Sequence, residues 1–303
     1  MSSSYILNPT LDPKSHILDP SLMRFNHLAI VGVGLIGGSF AKAARRAGLA
    51  SRITGWGGQN SLAKALATGV IDGIEDAFDN GEISNADLIY LAAPIGGILD
   101  FLRSKRDLIG PGAIVTDAGS TKREICRTAH ESLPQAVHFV GGHPMAGSHT
   151  AGIEFARADL FEQAPYAVMN RGGDDGAIAA IADVVRAIGA RLVMTTPEDH
   201  DRIVARLSHV PQLLSTALAV ATKESTGNKP SALAGPGFRD MTRLASSPWS
   251  IWKDICQTNA DEITHALAEV IRELEATREA VASGDSAALI EAFEQANKSV
   301  GGP

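Results

Sequence analysis

The residue in this 303-residue sequence best suited to moving a proton near neutral pH is His143. It sits in Gly141-Gly142-His143-Pro144-Met145-Ala146-Gly147-Ser148, directly after the apolar run Val137-His138-Phe139-Val140. The three glycines permit backbone angles and close approaches that a β-carbon forbids, and Pro144 fixes its own φ. The pattern predicts a short loop at a strand end, holding one imidazole where a ligand reaches it. The competing reading is a turn whose histidine bonds a nearby carbonyl. Ser120, in Asp117-Ala118-Gly119-Ser120-Thr121-Lys122, can orient a ligand hydroxyl beside that imidazole, although Ser120 and Thr121 also suit a helix N-cap. Farther along, Gly237-Phe238-Arg239-Asp240-Met241-Thr242-Arg243 offers a guanidinium for a carboxylate. Arg243 is the better candidate, with Asp240 able to orient it through an ion pair; the alternative is a solvated helix start. Ser208-His209-Val210-Pro211-Gln212 breaks a helical run with a proline, which a kinked core helix also explains. His130, His138, His149, His200 and His265 have no metal-ligand spacing and read as structural or solvated; no metal site is expected.

A second motif says what such a base would serve. The apolar run at residues 27–31 leads into Gly32-Val33-Gly34-Leu35-Ile36-Gly37, and a helix is predicted over residues 39–49, ended by Gly48. This is the dinucleotide fingerprint in its strand–turn–helix context: Gly32 makes the turn, Gly34 admits the pyrophosphate, and Gly37 lets helix pack on strand. The helix start, with Leu35 and Ile36, offers free N–H groups and a positive dipole end. Ala93 and Pro94, ending a later strand, are expected to flank the nicotinamide. After the second predicted strand, where an acid would bond the adenosine ribose, stands Gly57-Gly58-Gln59-Asn60-Ser61. The cofactor is therefore NAD or NADP: no acid repels a 2′-phosphate, no arginine grips one, and Asn60 and Ser61 can bond either, with a slight lean to NADP. A nicotinamide enzyme acting on an alcohol needs a base for the hydroxyl proton while hydride leaves the same carbon, which suits His143.

The elements that must position these groups divide the chain. Strand and helix signals alternate to about Thr196, giving a doubly wound, mostly parallel α/β sheet of about eight strands. The expected organisation is an N-terminal extension over residues 1–25, a Rossmann-type dinucleotide domain over 26–196, and an all-helical domain over 197–303. In the last, Ile203, Leu207, Val210, Leu213 and Leu214 repeat at helical spacing, and so do Ile263, Leu267, Val270, Ile271 and Leu274. Such stripes suit a helical domain that closes over the cofactor and forms a homodimer. The net charge of −7 excludes the basic face a nucleic acid needs. Two cysteines without CxxC spacing exclude a disulfide framework and structural zinc. With no apolar run of membrane-spanning length and no signal-peptide pattern, no membrane partner and a cytoplasmic location are expected.

Together the motifs resemble the prephenate/arogenate dehydrogenase family of tyrosine biosynthesis. The resemblance rests on residues 32–39, 117–122, 142–148, 208–212 and 238–243, and on Ile251-Trp252-Lys253-Asp254-Ile255 with Asn259. It implies an oxidative decarboxylation in which His143 takes the 4-hydroxyl proton of prephenate, hydride passes to the nicotinamide, and the ring loses CO2. It also implies that Ser120 positions the hydroxyl, that Arg243 holds a carboxylate, and that Ser148 and His209 line the pocket. Some relatives carry an acid immediately after the position of Ser148, where this chain has His149; an imidazole attracts an α-amino group less than a carboxylate does, which tilts the expectation towards prephenate over arogenate. The alternative is another Rossmann and helical-domain oxidoreductase, of the β-hydroxyacid dehydrogenase or imine reductase type. The former relies on a lysine in the first helix of the second domain, and none occurs here before Lys223.

Overall fold

A computed structural model describes residues 25–75, 82–147, 152–170, 174–226 and 233–300. The first strand, β1 (Phe25–Val31), is buried at every position but one. Leu28 and Ile30 enter one core cluster while Ala29 and Val31 enter another, so alternate side chains feed cores on opposite faces of the same sheet. Helix α1 (Leu35–Arg46) follows, then β2 (Ala50–Trp56), α2 (Gln59–Ala67), β3 (Gly73–Ile74), β4 (Leu88–Leu91), α3 (Ile95–Ser104), β5 (Ile114–Asp117), α4 (Arg123–Ser132) and β6 (His138–Val140). These six strands form a parallel sheet in the order β3-β2-β1-β4-β5-β6. The strand order reverses between β1 and β4, so a ligand crevice opens at their carboxyl ends.

The expectation of one eight-stranded sheet needs correcting. After Val140 the chain leaves that sheet, and β7 (Gly142–Pro144), β8 (Pro165–Met169) and β9 (Arg191–Thr195) form a separate three-stranded sheet. β7 runs antiparallel to β8, with His143 opposite Ala167, whereas β8 and β9 are parallel. Gly141 is the switch residue. A Cβ there would lie 2.8 Å from both Cys126 Sγ and Met169 Cγ, so only a bare backbone passes. His143 therefore stands on a short strand, not on the loop its neighbours suggest. Helix α5 (Asp175–Ala187) lies between β8 and β9, with the Asp174 side chain accepting from Ala177 N–H as N-cap.

The remaining chain is helical: α6 (Pro197–Val204), a π-helical turn over Ala205–His209, α7 (Val210–Thr226), α8 (Pro236–Thr242), a 3₁₀ turn over Arg243–Ser246, α9 (Trp249–Thr258), α10 (Ala260–Ser283) and α11 (Ser286–Val300). The proline signal at residues 208–212 thus marks a wide turn just before Pro211 in a continuous helical run. The run Pro197–Lys223 is long and apolar enough to cross a membrane, with a mean hydropathy of 1.3 in its best window. It also carries buried His200, Asp201 and His209, and Ala205 and Val210 belong to the sheet's second core, while about a third of that window is buried in all. Ile255, Ile263 and Ala266 join the same core, so apolar packing runs without a break from the parallel sheet into the helices.

Polar contacts fix the same junction. Asp254 of α9 accepts from Gly96 N–H in the first turn of α3, at 2.8 Å. Asp201 of α6 accepts from Lys122 N–H at 2.7 Å and Arg123 N–H at 2.9 Å, at the start of α4. Neither helix carries a side-chain cap of its own at its N-cap position, so carboxylates from the helical region supply the capping. Ser120 and Thr121 are accordingly not the caps of α4; Thr121 bonds Thr258 of α9 instead, at 2.7 Å.

Candidate active site

The glycine turn has the form its spacing predicts. Gly32 has φ +95°, and a Cβ there would lie 2.7 Å from the backbone of Ala92. At Gly37 a Cβ would meet Gly32 O at 2.1 Å, which is why helix and strand can close up at this point. A Cβ on Gly34 would instead point into open space, the room a pyrophosphate needs against the α1 N-terminus. Gly32, Gly34, Ser61, Ala93 and Pro94 all line one cleft of about 570 Å³, so residues far apart in sequence converge as a dinucleotide site requires. Leu35 and Ile36 form the first turn of α1. Asn60 lies on the exposed first turn of α2, outside that lining.

Ser120 and His143 are placed by one buried carboxylate. Asp117, at the end of β5, accepts from Gly119 N–H at 2.8 Å and from Gly142 N–H at 3.1 Å. Ser120 and His143 are each the next residue after one of these amides, so Asp117 sets both positions. The partner of Asp117 is Lys122, and both side chains are completely buried. Lys122 Nζ also donates to Gly142 O at 2.7 Å, tying the strand that carries the imidazole.

His143 Nδ1 lies 2.8 Å from His200 Nε2, and His200 Nδ1 lies 2.8 Å from Asp201 Oδ1. A carboxylate only accepts, so His200 carries its proton on Nδ1. Its Nε2 is then an acceptor, and His143 must donate from Nδ1. That assignment leaves a bare lone pair on His143 Nε2, the form a general base requires. Burial, together with the nearby His200, Lys122 and His209, holds His143 well below the usual imidazole range. Burial also lowers His200 despite its bond to Asp201, so both rings are neutral near pH 7. Burial pulls Asp201 upward, but the His200 bond and the Arg123 and Lys122 amides outweigh it and keep the carboxyl low.

His209, at the end of the π turn, is buried and pushed down to about 4, mainly by desolvation. Its Nδ1 lies 3.3 Å from Asn259 Nδ2, and its ring meets Trp252 edge-on with centroids 6.0 Å apart. Asn259 accepts from Arg123 at 3.0 Å and donates to Asp201 O at 2.8 Å, which fixes its amide and joins His209 to the Asp201 cluster. Arg243 and Asp240 lie on an exposed segment tethered to α7: Gln212 donates to Leu244 O at 2.8 Å, and Ser215 accepts from Ala245 N–H at 3.1 Å. Ser148 and His149 lie outside the described residues.

Comparison with known proteins decides the family. The sequence profile of the prephenate dehydrogenase nucleotide-binding domain matches residues 40–194, and that of the prephenate dehydrogenase dimerization domain matches residues 196–295. The chain belongs to the prephenate dehydrogenase family. It is 35% identical to the prephenate dehydrogenase of Bacillus subtilis (strain 168) over 274 residues, covering 89% of this chain and 74% of that one. It is 31% identical to the cyclohexadienyl dehydrogenase of Zymomonas mobilis over 283 residues, covering 90% and 94%. Among solved structures, prephenate dehydrogenase from A. aeolicus in complex with hydroxyphenyl propionate and NAD+ superimposes with a TM-score of 0.84 at 27% identity, covering 92% and 98%. Matches through both halves of the chain disfavour the β-hydroxyacid dehydrogenase and imine reductase alternative.

Within this prephenate dehydrogenase fold, sequence reasoning missed His200 and Asp201. They stand 57 residues or more from His143, in Pro197-Glu198-Asp199-His200-Asp201, a stretch that reads as a capped, charged helix start. The adjacent His-Asp pair was the available signal, but nothing in its spacing says which imidazole it serves.

Proposed function

We propose that this protein catalyses the oxidative decarboxylation of prephenate to 4-hydroxyphenylpyruvate, with arogenate as a secondary substrate. The carrying observation is the His143–His200–Asp201 chain, which leaves an unprotonated Nε2 on an imidazole held, through Gly142 N–H, by Asp117 at the carboxyl end of β5 in the sheet that carries the dinucleotide turn. When bound, the nicotinamide supplies the hydride acceptor. His143 Nε2 takes the 4-hydroxyl proton as the carbon–hydrogen bond of the same carbon gives up hydride. Ser120 orients that hydroxyl. The electron pair of the ring-to-carboxylate bond then enters the ring as CO2 leaves, and aromatisation makes the step effectively irreversible. Arg243 holds a substrate carboxylate and His209 lines the pocket, and the family resemblance gives Ser148 a role in substrate binding. Having His149 where some relatives place an acid supports the keto acid over the amino acid. Glycine where an acid would bond the ribose supports NADP over NAD. Two copies pair through the helical region, a reading supported by exposed Ile271, Leu274, Val281, Ile290 and Phe293 on α10 and α11.

The test is a kinetic matrix of prephenate and arogenate against NAD and NADP, with the aromatic product identified. Turnover of neither cyclohexadienyl acid, alongside oxidation of a hydroxy acid or imine, overturns the reading. Replacing Arg243 by alanine is expected to raise KM for the diacid with much less effect on kcat, because the contact exists before and during reaction. A variant whose loss falls in kcat alone contradicts a substrate-holding role.

The lowered histidines set two pH responses. A base held below the usual 6.5 is still unprotonated in mildly acidic solution, so the acid limb of kcat/KM is expected below pH 6.5. Stability follows the same sign. These rings bind protons less readily folded than unfolded, so stability falls as the pH drops from about 6.5 towards the folded values, about 4 for His209. Thermal melting between pH 8 and pH 4 reads this directly.

A further inference from the structure

The adenosine end of the cofactor cleft is walled by groups from two elements that sequence spacing does not relate. One wall is Trp56, the last residue of β2, with Gly57, Gly58 and Ser61; the other is the carboxyl end of α3, with Ser104 and Lys105. Lys105 Nζ lies 6.0 Å from the centre of the Trp56 ring. Trp56 directly precedes the place where a Rossmann fold selective for NAD carries its ribose-binding carboxylate. Here that place is Gly57, and no acid occurs from there to Ile71. A cation therefore shares the cleft with the position from which a carboxylate is missing.

We infer that Lys105 forms a 2′-phosphate subsite, its ammonium pairing with the dianion and the Ser61 hydroxyl supplying a second donor. The inference rests on the reading of the cleft as a nicotinamide dinucleotide site and names the group that selects NADP there. The missing arginine after β2 is replaced by a lysine reaching over from α3. Helix carboxyl ends commonly carry cations that complement the dipole. Of Arg103, Lys105 and Arg106 at this end of α3, Lys105 is the one that lines the cleft. Among the described residues one carboxylate, Asp100, also lines it. It is exposed and five residues nearer the α3 N-terminus, about 7.5 Å along the helix axis, so water screens its repulsion of a phosphate held at Lys105.

Calorimetric titration of the full chain with adenosine 2′,5′-bisphosphate and with 5′-AMP tests this without turnover. The wild type is expected to bind the bisphosphate about tenfold or more tightly than AMP, the worth of a charge-assisted contact. Lys105→Met should remove most of that ratio while leaving AMP affinity nearly unchanged, which also shows that the variant is folded. Lys105→Arg should keep the ratio. AMP binding as tightly as the bisphosphate to the wild type, or an unchanged ratio in Lys105→Met, overturns the inference while the cofactor reading stands. Binding of neither nucleotide overturns both.

Discussion

Replacing His143 by asparagine should lower kcat by about 10²–10⁴-fold, the usual worth of a general base, with cofactor affinity nearly intact. The separation follows from placement. The imidazole is on β7, in the three-stranded sheet, whereas the dinucleotide turn joins β1 to α1 of the parallel sheet. Asparagine keeps a polar group of modest size but has no basic lone pair, so the acid limb of the pH profile should disappear along with the rate. Asp201→Asn is the informative companion. The amide oxygen stays towards His200, because that position also accepts Lys122 N–H, so His200 keeps its tautomer but loses the negative charge that fixes it, and His143 Nδ1 is held less firmly as a donor. Because both changes act on one device, their effects on kcat should combine to much less than their product. Near-wild-type turnover in His143→Asn removes the base from the scheme. Fully multiplicative losses disconnect Asp201 from it.

How far this site was legible in the sequence depended on the range of the interactions. The dinucleotide turn is a local device: Gly32, Gly34 and Gly37 do their work within six residues, and their spacing alone carried the reading. The proposed base was singled out just as locally, since His143 stands among glycines. Its secondary structure was not, because the choice between loop and strand is made by β8, more than twenty residues later, whose edge β7 pairs with. Ser120 showed the opposite failure. Ser120 and Thr121 suited a cap, yet the α4 amides are taken by Asp201, and no local rule predicts capping from a distant helix. Lys105 was equally invisible, because only the folding of α3 against β2 brings it over Trp56. Where a role is assembled from side chains of separate elements, periodicity identifies the elements but not the meeting point.

The largest expected effect on stability comes from Lys122, which no part of the proposed chemistry uses directly. Its ammonium and the Asp117 carboxylate are both without solvent exposure, and each also bonds main chain: Lys122 to Gly142 O, Asp117 to Gly119 and Gly142 N–H. Desolvating two charges is costly, and their attraction offsets that cost only while both are present. Lys122→Met fills similar volume but strands a carboxylate in the core, and should cost about 3–5 kcal/mol of stability. Asp117→Asn combined with Lys122→Met removes the stranded charge and keeps an amide oxygen for one of the two backbone N–H groups. The double variant should therefore be more stable than Lys122→Met alone, which simple addition of two harmful changes does not allow. Denaturant midpoints for the set decide the matter. A Lys122→Met protein as stable as the wild type means the pair is not a buried ion pair at all. Recovery of stability in the double variant without recovery of kcat has a specific meaning. The Lys122 bond to Gly142 O then serves to aim β7, and His143 with it, and the energetic and catalytic consequences of one lysine come apart.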